Sequence, residues 1–158
     1  MNFTKGLLFI FIGFFLVGCG GSKILSQKEI NADTEFSKGN YAQSLANYEE
    51  VIKIYKDNNN SNGCPVYTKS GICAYKMGTY DKAAKYLKND VNSTFRNEET
   101  LYYLGMTYNK LDNLSMEMIT LQDYVDIYPN GKYLDSVNEL LFYVYSKSDN
   151  YDKAISLW

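Results

Sequence analysis

The chain has 158 residues, and its 16 basic and 18 acidic side chains give a net charge of −2 with no long run of either sign. Nothing resembles the basic face that draws a protein to nucleic acid, so nucleic acid is excluded as a partner. No histidine occurs, which removes Ser/His/Asp and Cys/His catalysis and leaves a metal site little to build on. Sixteen tyrosines against two prolines predict an all-α domain whose helices interlock through large amphipathic rings.

The chain opens with one basic side chain, Lys5, and an uncharged run from Gly6 to Val17. A basic start before about a dozen apolar residues fits a secretory signal. At 1.5 Å per residue the run is too short for a ~30 Å hydrocarbon core. It closes on Leu16-Val17-Gly18-Cys19. These residues resemble the lipobox of bacterial lipoproteins, which implies cleavage before Cys19 and a covalent lipid on its thiol. Two or three acyl chains would anchor the molecule firmly, at ~0.8 kcal/mol per buried methylene. Gly20 follows, where an aspartate would retain an enterobacterial lipoprotein in the inner membrane. The resemblance therefore implies a cell-envelope protein at the outer membrane, facing the periplasm. Residues 1–18 are read as the signal peptide, 19–27 as lipidated cysteine and short tether, and 28–158 as one helical domain.

Small-residue turns recur through that domain: Lys38-Gly39-Asn40-Tyr41, Met77-Gly78-Thr79-Tyr80, Leu111-Asp112-Asn113-Leu114 and Ser148-Asp149-Asn150-Tyr151, at intervals of 39, 34 and 37. A helix–turn–helix unit repeating near 34 residues has the tetratricopeptide length. The polar stretch 57–63 marks one boundary between repeats, and 90–97 the next. The second repeat reads Tyr67, Gly71, Ala74, Ala83 and Leu87. The third reads Leu101, Leu104, Gly105, Tyr108 and Leu121, and closes on Pro129. Together these resemble the tetratricopeptide family, which implies a helical-hairpin solenoid of about four repeats across residues 28–158. The first and last repeats are looser. The leading helix, Gln27 to Ser37, reads as a polar, frayed cap. Phe142 takes the place of the small residue in the fourth repeat, and Glu117 that of the small residue in the third repeat's second helix, where the pair is expected to splay.

The junction Tyr128-Pro129-Asn130-Gly131-Lys132-Tyr133 resembles those of outer-membrane assembly lipoproteins of the BamD family and of periplasmic cell-division coordinators. Pro129 ends one helix, Asn130-Gly131 is expected to take positive φ, and Tyr133 starts the next helix. Members of the BamD family carry about five repeats. The resemblance thus leaves two readings: this chain is part of a longer one, or its last helix is covered by a partner.

Cys64 and Cys73 lack C-x₂-C spacing. With Pro65 opening the helix that carries Cys73, their Cα atoms fall roughly 12 Å apart, beyond the ~7 Å reach of a disulfide. Two unpaired thiols are expected, with Cys73 packed between helices.

By repeat position the first helices should display Phe36, Ile72, Tyr75, Tyr102, Met106, Asn109 and Tyr143 on a concave face, with Lys76, Lys110 and Lys147 in register at the helix ends. The lysines suit the negative end of the helix dipole. They would also meet an acidic peptide, resembling the carboxylate clamps of some tetratricopeptide chaperone adaptors, although the clamp's asparagines are not all found. No phosphate loop occurs, and Glu49-Glu50 and Glu98-Glu99 read as solvated helix residues. An enzyme is not expected, nor a cofactor beyond the lipid on Cys19. The expected partners are other envelope proteins or peptides, with the membrane reached through the lipid. Two other readings stay open: a ligand-binding lipoprotein of the surface or periplasm, and a noncatalytic regulatory subunit of an envelope enzyme.

Overall fold

The computed structural model describes residues 18–58, 64–91 and 93–157, with side chains from Leu25 onward. Residues 1–17 of the expected leader, the Cys19 side chain and Trp158 lie outside the described residues.

Eight helices follow one another among the described residues: α1 (Gly18–Ser37), α2 (Tyr41–Asp57), α3 (Tyr67–Lys76), α4 (Tyr80–Val91), α5 (Glu98–Lys110), α6 (Leu114–Ile127), α7 (Leu134–Lys147) and α8 (Tyr151–Ile155). Each packs on its neighbours in sequence, and α3 also touches α5. The result is a row of four antiparallel hairpins, a tetratricopeptide-like solenoid.

The turns inside the hairpins explain the period. Gly39 and Gly78 have φ of 78° and 74°, and Asp112 and Asp149 have φ of 52° and 58°. The chain reverses through one left-handed residue at the same place in every repeat. Glycine enters that region without cost, and aspartate is among the few other residues that tolerate it. Asn113 caps α6 by accepting from the Met116 N–H at 3.2 Å. Asn97 and Thr100 form a reciprocal capping box at the start of α5.

Small residues let the paired helices close. A Cβ on Gly71 would come 2.7 Å from Leu87 Cδ2, and one on Gly105 would come 2.9 Å from Leu121 Cγ. The equivalent residue of the first hairpin, Ala32, is fully buried, as is Tyr48 across from it. The leading helix is therefore no frayed cap. Ser44 Oγ also donates to the Ala32 carbonyl at 2.9 Å, tying α2 to it. Residues 19–27, read as lipidated cysteine and short tether, are helical and form the first half of α1.

Glu117 does not splay its hairpin. It is 2% exposed, and its Oε1 accepts from Asn109 Nδ2 at 2.9 Å, so the carboxylate is held inside while Leu121 still seats on Gly105. Phe142 turns outward and is 40% exposed. Cys64 and Cys73 are free and buried, with Cys73 Sγ donating to Ser44 Oγ at 3.5 Å between α3 and α2. Burial pushes the Cys64 thiol up to about 11 and raises that of Cys73. Pro65 lies in a turn, and the helix itself begins at Tyr67.

The Tyr128–Tyr133 junction is built differently from expectation. Neither Asn130 nor Gly131 has a positive φ. Gly131 is needed for space: a Cβ there would come 2.8 Å from Glu98 Oε2 and would overlap the Tyr124 hydroxyl. Glu98 Oε2 accepts from Tyr124 Oη at 3.1 Å and from the Lys132 N–H at 2.8 Å, and Tyr124 Oη accepts from the Tyr133 N–H at 2.9 Å. This network locks the start of α7 onto α5 and α6.

Candidate partner-binding face

The face is made by the first helices, α1, α3, α5 and α7, and by the residues that follow the hairpin turns. Phe36 lies half-buried against Tyr41, edge to face at 5.9 Å. Tyr75 meets Tyr80 at 5.6 Å and reaches across to Tyr103 at 5.5 Å; Tyr103 meets Tyr102 at 5.3 Å. Tyr102 stacks flat on Tyr133, with ring centroids 4.1 Å apart and planes 4° from parallel. Rings of three repeats thus connect because α3 lies directly on α5. Aromatic pairs at these separations stabilise by about 0.5–1.5 kcal/mol each beyond the area they bury.

Burial raises the Tyr75 phenol, and neighbouring Tyr80 and Tyr102 add to the effect. The Tyr103 phenol is pushed up to about 12 by burial, then by Tyr133, Tyr102, Glu99 and Tyr41 around it. These hydroxyls stay protonated at neutral pH and are available as donors.

The lysines fall where the register put them. Lys76, Lys110 and Lys147 are exposed at the ends of α3, α5 and α7. The Lys76 ammonium sits 5.8 Å from the Tyr103 ring centre, and that of Lys147 sits 4.5 Å from Tyr143. A hydrogen bond with Tyr143 raises Lys147 above the ordinary lysine value. The four ion pairs among the described residues use Lys28, Lys38, Lys69 and Lys82 instead.

Two expected members change role. Ile72 is 3% exposed and belongs to the core, because its side chain is enclosed where α3 packs on its neighbours. Asn109 is bound to Glu117 inside its own hairpin. Met106 is half-buried and Tyr143 is exposed. Tyr41, Tyr80, Tyr103 and Tyr133 join the face without having been expected there. Tyr41 and Tyr80 share one register position, two residues after the turn glycine, and that signal was readable. Tyr103 and Tyr133 arrive only through the packing between repeats.

A polar cavity of about 480 Å³ opens elsewhere, between α1 and α2, lined by Asn31, Thr34, Glu35, Lys38, Gln43 and Asn47. Among the described residues no group of His, Cys, Asp and Glu is placed to hold a metal ion, and no helix is long and apolar enough to cross a membrane.

Hairpins joined through a left-handed turn, closed on a small residue and stacked side by side make a tetratricopeptide-like solenoid. Solenoids of tetratricopeptide repeats serve as scaffolds for protein–protein interaction and are typically non-catalytic. Residues 99–131, the third hairpin through its lock, match the tetratricopeptide repeat family directly. Over 103 residues the chain is 31% identical to Protein CTR9 homolog of Arabidopsis thaliana, covering 62% of this chain and 9% of that protein. Over 104 residues it is 24% identical to Sperm-associated antigen 1 of Rattus norvegicus, covering 63% and 11%. The chain therefore spans about a tenth of the length of the curated relatives it matches. Among solved structures it is similar to the MamA RS-1 ArsTM double mutant, with a TM-score of 0.71 at 16% identity over 84% of this chain and 70% of that one. It is also similar to MamA 41-end from Desulfovibrio magneticus RS-1, with a TM-score of 0.70 at 17% identity over 84% and 71%. At these identities the likeness is one of fold.

Proposed function

We propose that this chain is a membrane-anchored tetratricopeptide scaffold of the cell envelope, tethered by a lipid on Cys19 at the outer membrane and holding another envelope protein on its first-helix face. The observation that carries this reading is the alignment of half-exposed rings from three repeats beside exposed lysines that make no ion pair among the described residues. Aromatic rings and cations concentrated on a rigid concave surface are the makings of an interaction hot spot. The run before Cys19 supports the address, and the resemblance of the Tyr128–Tyr133 junction to the BamD family supports a task in outer-membrane protein assembly.

The test is photo-cross-linking in the intact envelope, with the probe at Tyr102 on the face and, as a control, at exposed Asn89 on α4. A protein partner captured from position 102 and not from 89 is expected. Recovery of no protein from either position would sink the scaffold reading. Cys19→Ser tests the tether, and acyl label persisting on that variant would end it. The polar cavity between α1 and α2 favours a second reading, a ligand-binding envelope lipoprotein. A small polar ligand that raises the melting temperature of the wild type, but not of an Asn47→Ala variant, would support it.

A further inference from the structure

The two ends of the row are not alike. The residues twelve, eight, five and four places before the turn residue are no more than 5% exposed in the second, third and fourth hairpins. Leu104 and Tyr108 are covered with Ala84 and Leu87 of the hairpin before them, and Leu141 and Tyr145 with Leu121 and Tyr124. In α1 the same places hold Gln27, Asn31, Thr34 and Glu35. The last three of these line the polar cavity, which is therefore the slot that a preceding hairpin would fill. Packing an apolar helix into it would take those groups out of water. The row is closed at its start.

The far end keeps the residues that elsewhere receive the next hairpin. Six places after the turn residue, Leu45 and Ala84 are 3% and 8% exposed beneath the following hairpin, whereas Ile155 is 70% exposed. Two places after it, Tyr41 and Tyr80 are half-buried, whereas Tyr151 is exposed. On the first helices, the residues ten, six and two places before the turn residue reach forward. Asp33 pairs with Lys69, Thr68 with Thr100, Tyr102 stacks on Tyr133, and Lys76 stands over Tyr103. On α7 these places hold Glu139, Tyr143 and Lys147. All three are exposed, and neither charge enters an ion pair among the described residues.

We propose that two copies of this chain pair through that stripe, α7 against α7 and antiparallel, about a two-fold axis at Tyr143. Glu139 and Lys147 lie four residues to either side of Tyr143, so each is one helical turn, roughly 6 Å, from the axis. The two-fold sets Glu139 of each copy opposite Lys147 of the other and lays the two Tyr143 rings together. The stripe is thus complementary to itself when reversed, as a contact between identical surfaces must be. Tyr151 and Ile155 add apolar surface beside it. Copies cannot stack head to tail instead, because the last hairpin of one would have to settle on the polar slot of the next. The assembly therefore stops at two and does not grow into a filament.

Sedimentation equilibrium of the full chain in density-matched detergent micelles tests this, with Glu139→Lys and Lys147→Glu as variants. The wild type is expected to form a dimer and nothing larger. Each variant alone sets like charges opposite one another and should dimerise about tenfold or more weakly, with helix content by circular dichroism unchanged. An equimolar mixture of the two variants restores opposite charges at both contacts and should regain the wild-type affinity to within about threefold. A monomeric wild type, species beyond the dimer, or a mixture that associates no more tightly than either variant overturns the proposal. If the wild type is monomeric while position 102 still cross-links an envelope protein, the pairing falls and the scaffold reading stands.

Discussion

Glu117 carries the clearest pH signature at the scale of single residues. Burial raises its carboxyl above the ordinary carboxylate value; the hydrogen bond from Asn109 and the charge of Lys147 pull the other way, and Asp112 adds to the rise. A raised folded pKa means that the folded state holds the proton more tightly than the unfolded chain does. That contribution to stability is fully present below the unfolded carboxylate range and is lost as pH rises through the folded value. Glu117→Gln keeps an acceptor for Asn109 and removes the ionisation. Its melting temperature should exceed the wild type's by a few degrees at pH 7, and the two should converge below about pH 4. A constant difference across that range would show that charge is not the cause. Gly71→Ala should act through space alone: the new Cβ meets Leu87, and overpacking of this kind costs about 1–3 kcal/mol, readable in urea unfolding. Neither effect could be quantified from sequence. Glu117 looked like a flaw in the repeat because nothing local revealed that Asn109, one turn before the reversal, reaches it.

Between elements, the lock at the head of α7 is the feature most open to test. Glu98→Ala would leave the Lys132 N–H and the Tyr124 hydroxyl without their acceptor and should cost about 1–3 kcal/mol in chemical denaturation, with Glu98→Gln losing less. Hydrogen exchange at Lys132 and Tyr133 should rise in the alanine variant, and an unchanged rate would assign the stability elsewhere. This region also shows how far the sequence could be read. The repeat period, the two-helix unit, the small-residue contacts and the free cysteines followed from spacing and residue size, because those constraints act within one hairpin. Gly131 was expected to supply a left-handed turn, yet it serves clearance over Tyr124 and Glu98. Asp112 and Asp149 took the left-handed positions instead. The tyrosine face was half legible. Phe36, Tyr75 and Tyr102 follow from register, whereas Tyr103 and Tyr133 depend on how one repeat is rotated on the next, which no residue pattern encodes locally.

Among the described residues the extensive packing contacts join adjacent hairpins, so stability should pass along the row through each junction. At the junction between the second and third hairpins a buried polar network lies beside the apolar cluster of Ala84, Leu87, Leu104 and Tyr108. Asp90, fully buried on α4, accepts from Thr68 on α3 and from Ser93, and the Thr68 hydroxyl pairs with that of Thr100 on α5 at 2.6 Å. Asp90→Ala takes the acceptor from the Thr68 and Ser93 hydroxyls at that seam and should cost about 1–3 kcal/mol. Because the seam lies midway, the variant should unfold in two steps by hydrogen exchange, with the two halves exchanging at different rates. A single cooperative loss would mean that the halves are coupled more strongly than nearest-neighbour packing allows.

The helical start of the chain also sets a height. If Cys19 carries the lipid as proposed, the chain from it to Phe36 is all helical, and at 1.5 Å per residue it forms a post of roughly 26 Å. With α1 upright on the bilayer, Phe36 and the neighbouring Tyr41 would stand about that far above it, out of reach of anything lying flat on it. Such a post selects visitors by stature: a segment must rise from the membrane, or descend from the opposite side, to touch the rings at all.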